Sequence, residues 1–104
     1  MKTKIKTKTI FREFVDGEII AVFPQEPWDV DGLYCSSYMH VGQHGAASLD
    51  ICSNKTTRPA SIDKCQGLIK ELENIGYNLN IRKRISYKDD MARKLKAKII
   101  SPAL

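Results

Sequence analysis

The sequence predicts an α+β fold: an antiparallel sheet of about five strands, one amphipathic helix packed on a face, and a basic C-terminal helix. Three observations predict it. Residues 10–15 and 18–23 are short runs rich in β-branched and aromatic side chains with Asp16-Gly17 between them. Residues 33–41 alternate as a further strand does. Between Ser61 and Gly76, Cys65, Leu68, Ile69, Leu72 and Ile75 recur at helical spacing. A chain of 104 residues is one domain with one modest core, so residues 1–104 are read as a single unit whose residues 1–8 form a basic arm.

Asp-Gly accepts positive φ at both central positions of a type I′ turn, and the first two strands are expected to form a hairpin about it. A two-residue turn sets Phe14 opposite Ile19, Arg12 opposite Ala21 and Ile10 opposite Phe23. The other face then takes Phe11, Val22, Ile20 and Val15. Pro24 and Pro27 are expected to end the second strand, leaving residues 24–32 as a loop pinned by a buried Trp28. If Gly42-Gln43-His44-Gly45 is a four-residue turn, the chain returns through residues 46–53. Cys35 then faces Cys52, Ser37 faces Asp50, and Tyr38 faces Leu49.

Residues 53–60 read as a turn-rich connection. Ser61 is the expected N-cap of the helix, and Gly76 the left-handed residue that ends it. Leu79, Ile81 and Ile85 alternate with Asn80, Arg82 and Arg84, a strand with one apolar and one basic side. Ser86 caps a last helix with Asp89 at its third position. Its apolar stripe is Met91, Leu95 and Ile99.

Charge is unevenly spread. The net charge of +5 resolves into basic ends, carrying Lys2, Lys4, Lys6 and Lys8 at one and Arg82, Arg84 and Arg93 among others at the second, around an acidic middle. Basic ends point to polyanion contact as one expectation and to a solubilising face as the other. No apolar run approaches the roughly 20 residues of a membrane helix, so no membrane is expected. The start lacks the apolar core of a secretory signal, and a cytoplasmic location follows as the default. Three cysteines without CxxC spacing suit reduced thiols.

The chemistry-bearing side chains crowd into residues 34–52, which hold both histidines and two of the three cysteines. His40 and His44 have the four-residue spacing of a helical zinc pair, but Gly42 and Gly45 argue against a helix there. The proposed hairpin also turns Cys35 and Cys52 away from His40. No metal and no cofactor are expected. Ser36 or Ser37 with a histidine and Asp50 lacks the strand-turn-helix setting of a hydrolase nucleophile. Cys35 reads as a small buried thiol. What stands out is Gly42 and Gly45 bracketing Gln43-His44, an exposed loop presenting hydrogen-bonding side chains together with His40, as recognition loops do.

The segments Ile10-Phe-Arg-Glu-Phe14, Gly17-Glu-Ile-Ile-Ala-Val-Phe-Pro24 and Ser37-Tyr-Met-His-Val-Gly-Gln-His-Gly45, followed by the Pro59 to Tyr77 helix, resemble a family of short uncharacterised bacterial proteins. Phages and other mobile elements often encode them. The resemblance covers roughly residues 9–86. It implies an intracellular accessory protein and supplies no catalytic residues. The leading expectation is therefore a non-catalytic binding protein with an unknown protein partner, nucleic acid being a second possible partner. The alternatives are an enzyme or metal-dependent regulator centred on His40 and His44, and a structural or assembly protein acting as a homo-oligomer, a homodimer being one form.

Overall fold

In the computed structural model, which describes residues 6–39 and 43–100, the strands are β1 (Thr7–Phe14), β2 (Ile19–Pro27), β3 (Cys35–Met39), β4 (Gln43–Ala47), β5 (Thr57–Pro59) and β6 (Leu79–Arg82). The helices are α1 (Ile62–Asn74) and α2 (Tyr87–Ile100). One sheet runs β4-β3-β2-β1-β5, with β6 also paired to β1. Among the described residues, all pairings are antiparallel except β1 with β6. β5 and β6 share an edge of β1, β5 along residues 12–14 and β6 along residues 7–10. The expected α+β architecture is present.

Asp16-Gly17 makes the first turn, but within a three-residue loop. Phe14 N donates to Glu18 O and Gly17 N to Phe14 O. Gly17 takes a φ of 93°, while the Asp16 carboxylate accepts from Glu18 N. A type I turn followed by a left-handed glycine is the G1-bulge hairpin. Its extra residue shifts the pairing to Ile10 with Val22, Phe11 with Ala21 and Arg12 with Ile20. A one-residue slip exchanges faces. Phe11, Ala21 and Phe23 therefore share one face, and Ile10, Ile20 and Val22 the other. Val15, expected in the sheet, lies in the loop and is exposed.

Cys65, Leu68 and Leu72 of α1 bury against Phe11, Ala21, Phe23 and Tyr38 on the first face. Ser61 has the extended backbone of an N-cap, without a side-chain capping bond. At the other end Gly76 adopts a φ of 111°. Gly76 N donates to Glu73 O and Tyr77 N to Leu72 O, the paired bonds of a Schellman motif. Ile75, the last residue of the expected stripe, is half-exposed.

Pro24 and Pro27 do not end β2. The β2–β3 pairing jumps from Phe23 with Ser36 to Pro27 with Cys35, and Pro24 is buried in that irregularity, where it has no N–H to leave unpaired. The following loop is closed by Trp28 N donating to Tyr34 O and by the Asp29 carboxylate accepting from Tyr34 N. Trp28 is 50% exposed and does not anchor it. The β3–β4 register also differs from expectation. Cys35 pairs with Ala47, Ser37 with Gly45 and Tyr38 with His44. Small residues at positions 45–47 form the return strand. Ser48 then opens a short 3-10 helix, Leu49–Cys52, accepting from Asp50 N. Leu49, Ile51 and Cys52 pack as a group against Ile10, Ile20, Val22, Cys35 and Ala47.

The largest departure is in α2. Ser86 N donates to Asp89 Oδ2 at 2.9 Å, the carboxylate half of a capping box. Yet Met91 and Leu95 are each 61% exposed, and the Ile99 side chain lies outside the described residues. The buried face is instead Asp89, Arg93 and Ala97, each 2% exposed. Arg93 Nε donates to Gly32 O at 2.7 Å, Nη1 to Pro24 O at 3.1 Å, and Nη2 to Asp90. Asp89 accepts from Lys8 Nζ at 2.6 Å and from Gln25 Nε2 at 2.9 Å. Lys8 alternates with Ile10 onto the second face, so α2 lies opposite α1. The charged stripe can be buried because its polar groups are answered, which is the condition for burying ions at all. Gly32 adds a steric reason. Its φ is 69°, and a Cβ there would stand 3.1 Å from both Ala97 Cβ and Lys94 Cα.

Arg93→Ala should cost about 2–5 kcal/mol in denaturant unfolding, since it leaves the buried Pro24 and Gly32 carbonyls without a partner at about 1–3 kcal/mol each. Arg93→Lys should recover little of that loss, because one ammonium cannot span both carbonyls. Burial raises the Asp89 pKa, but the bonds from Lys8, Ser86 N and Gln25 outweigh it and hold the carboxyl below the usual range. That stabilisation is full above the ordinary carboxylate pKa and disappears as pH falls through the lower folded value. Asp89→Asn should therefore be less stable at neutral pH, and its stability should vary less between about pH 5 and pH 2 than the parent's. Equal pH slopes for the two proteins would refute this.

Candidate functional site

The site grows out of two local structures: the β3–β4 pairing and the Schellman turn after α1. Because Tyr38 pairs with His44, their side chains emerge side by side on the α1 face. Gly76 turns the chain so that Tyr77 comes back over the same face. There Tyr77 stacks on Phe23 with ring centroids 4.9 Å apart and planes 7° from parallel. His44 meets the Tyr38 ring edge-on at 4.8 Å. Its Nε2 lies 2.9 Å from Tyr77 Oη. The Tyr38 hydroxyl donates to Glu71 Oε1 of α1. Tyr38, His44, Ile75, Gly76 and Tyr77 line an open concavity of about 580 Å³.

Burial, with the Glu26 charge adding to it, pushes the Tyr77 phenol up from its ordinary value. It keeps its proton at neutral pH and is equipped to donate to an unprotonated Nε2 of His44. The arrangement is thus two phenols and an imidazole, held by stacking and hydrogen bonds, beside an apolar isoleucine. Tyr38 is itself buried, so the exposed His44 and the half-buried Tyr77 are the rings that can stack on a flat group and exchange hydrogen bonds at their edges.

Of the sequence-predicted residues, Gln43, His44 and Gly45 are strand residues of β4 and not a turn tip. His40 and Gly42 lie outside the described residues. Gly45 pairs with Ser37, whose hydroxyl donates to the Gly45 carbonyl at 2.9 Å. His44 is the one described member that enters the concavity. Cys35 and His44 face opposite sides of the sheet, so they do not converge. Burial pushes the Cys35 thiol up to about 11 against the opposing charge of Arg93, and its Sγ donates to Ala47 O. Among the described residues no group of three or more His, Cys, Asp or Glu is placed to hold a metal ion.

The polyanion set divides as well. Lys2 and Lys4 lie outside the described residues. Lys6, Arg82 and Arg84 are exposed. Lys8 is committed to Asp89. Arg93 is buried and bonded to backbone and Asp90, so it is withdrawn from any polyanion surface. Sequence reasoning missed Tyr77 and Glu71. A usable signal for Tyr77 existed, since the residue after a C-terminal glycine in a Schellman motif regularly folds back onto its helix. No helix among the described residues is long and apolar enough to cross a membrane. Comparison with protein-family models, with curated proteins and with solved structures finds no match for this chain.

Proposed function

We propose that this chain is a small non-catalytic binding protein, and that it takes an aromatic side chain of a protein partner into the Tyr38–His44–Tyr77 concavity. The observation that carries this reading is the fixed ring array, in which Tyr77 is stacked on Phe23 on one side and hydrogen-bonded to His44 at its edge. Preorganised aromatic groups contribute contact area at little entropic cost, as interface anchors do. The retained proton on Tyr77 favours a hydrogen-bonding role over that of a phenolate base. An accessory role in a phage or other mobile element belongs to the same proposal and rests on the sequence resemblance of residues 9–86.

The test is selection from a random peptide display library on the purified protein. Enriched peptides should carry an aromatic residue and shift the amide resonances of His44, Gly76 and Tyr77. The double variant His44→Ala with Tyr77→Phe keeps the Phe23 stack, so its melting temperature should stay close to the parent's. The selected peptides should bind it about tenfold or more weakly, the loss of at least about 1.4 kcal/mol. Selected peptides that bind parent and variant alike would refute the proposal.

A further inference from the structure

A second concavity lies on the opposite face of the sheet, away from the aromatic one. Its floor is Arg12. The slipped hairpin register carries Arg12 to the second face, where it is 3% exposed. Its Nε donates to Thr57 Oγ1, and its Nη2 to Thr57 O and Asn54 Oδ1, each at 2.8 Å. Among the described residues it has no carboxylate partner. Every buried side-chain polar atom of the described residues is hydrogen-bonded. Nη1, which makes none of those bonds, is therefore the nitrogen that reaches open space. The space above it is a cavity of about 600 Å³, walled by Ser53, Asn54, Lys83 and Arg84 among others.

A buried guanidinium held by neutral acceptors keeps its whole charge, and burial makes that charge costly without a counter-ion. Here two more cations, Lys83 and Arg84, are brought to the same cavity, and no carboxylate lines it among the described residues. Lys83 and Arg84 also wall an adjoining concavity of about 390 Å³ that adds Arg82 and Lys8. Lys8 is neutralised by Asp89. Arg12, Arg82, Lys83 and Arg84 make no ion pair among the described residues. A single carboxylate would leave most of that charge unanswered, whereas a phosphate offers several acceptor oxygens to planar guanidinium forks.

We propose that the cavity over Arg12 is a phosphate-binding site, with Arg12 as its fixed floor and Lys83 and Arg84 as its closing side chains. Phosphate could come from a free nucleotide or from a nucleic-acid strand running on into the Arg82 concavity. Neither cavity is lined by an aromatic residue among the described ones. A strand would thus be held by its backbone and without sequence preference.

The experiment titrates the full chain at low salt with inorganic pyrophosphate and, separately, with an oligothymidylate. The Arg12 side-chain Nε–Hε resonance and the overall affinity are followed together. The Arg12 resonance should move with at least one of the two. Lys83→Ala with Arg84→Ala removes two exposed cations of the site. Lys70→Ala with Lys98→Ala removes the same charge from the exposed sides of the helices. The first pair should weaken binding about tenfold or more, and the second less than about threefold, since Lys70 and Lys98 line neither cavity and offer a bound phosphate no direct charge-assisted hydrogen bond. If the oligothymidylate binds, the salt slope of log K should fall by about 0.7 for each lost phosphate contact in the first pair. Tight pyrophosphate binding with no gain from the oligomer would assign the site to a free phosphate ligand. Absence of binding in both arms, or equal weakening by the two variant pairs, would overturn the proposal.

Discussion

The fold depends on one buried cation. Arg93 reaches from α2 to the carbonyls of Pro24 and Gly32, and it holds Asp90 beside it. Those two carbonyls sit where the sheet is least regular, in the bulge of β2 and in the loop before β3. An irregular backbone leaves carbonyl groups that no neighbouring strand can answer, and buried unanswered carbonyls are costly. Arg93 answers two of them from one side chain. Gly32 in turn lets the helix approach, since any side chain there would meet Ala97 and the α2 backbone. Bulge, loop and helix are consequently one cooperative unit. Asp89 extends it to β1 through Lys8 and to β2 through Gln25.

What the sequence revealed and what it hid follow from the same physics. The α1 stripe and its Gly76 stop are local signals, readable because one helix face is apolar and one glycine has positive φ. The first hairpin was half legible. Asp16-Gly17 marks the turn, but two-residue and three-residue loops use the same dipeptide, and they differ by the residue that decides where Arg12 points. The α2 docking face was not legible at all. Apolar periodicity picks out Met91 and Leu95, whereas the stripe that docks is Asp89, Arg93 and Ala97. No pattern in one helix shows that its arginine will meet a proline carbonyl in a distant bulge. The candidate site was seen in part: His44 from its loop, Tyr77 and Glu71 only once the strands were paired.

The two faces divide the surface chemistry. On the α1 face, Tyr38, His44 and Tyr77 share aromatic edges and hydrogen bonds. On the α2 face, Arg12 shares its cavity with Lys83 and Arg84. The hairpin slip underlies this division, because it sends Phe11 and Phe23 towards α1 and Arg12 away from it. Acidic residues are drawn off elsewhere: Glu13 to Lys64, Glu26 to Lys96, Asp90 to Lys94 and Arg93. The edge after β6 keeps its positive charge as a result.

The claim that α2 docks through its charged stripe is tested most directly on the face it leaves outward. In Met91→Gln with Leu95→Gln, both apolar residues of the conventional stripe become polar while Asp89, Arg93 and Ala97 stay intact. Denaturant unfolding at neutral pH should show a change of no more than about 0.5 kcal/mol per substitution, as for exposed positions. A loss of about 2–5 kcal/mol for either residue, the cost of truncating a buried leucine or methionine, would mean that Met91 and Leu95 face the sheet and that the Arg93 anchor is wrongly placed.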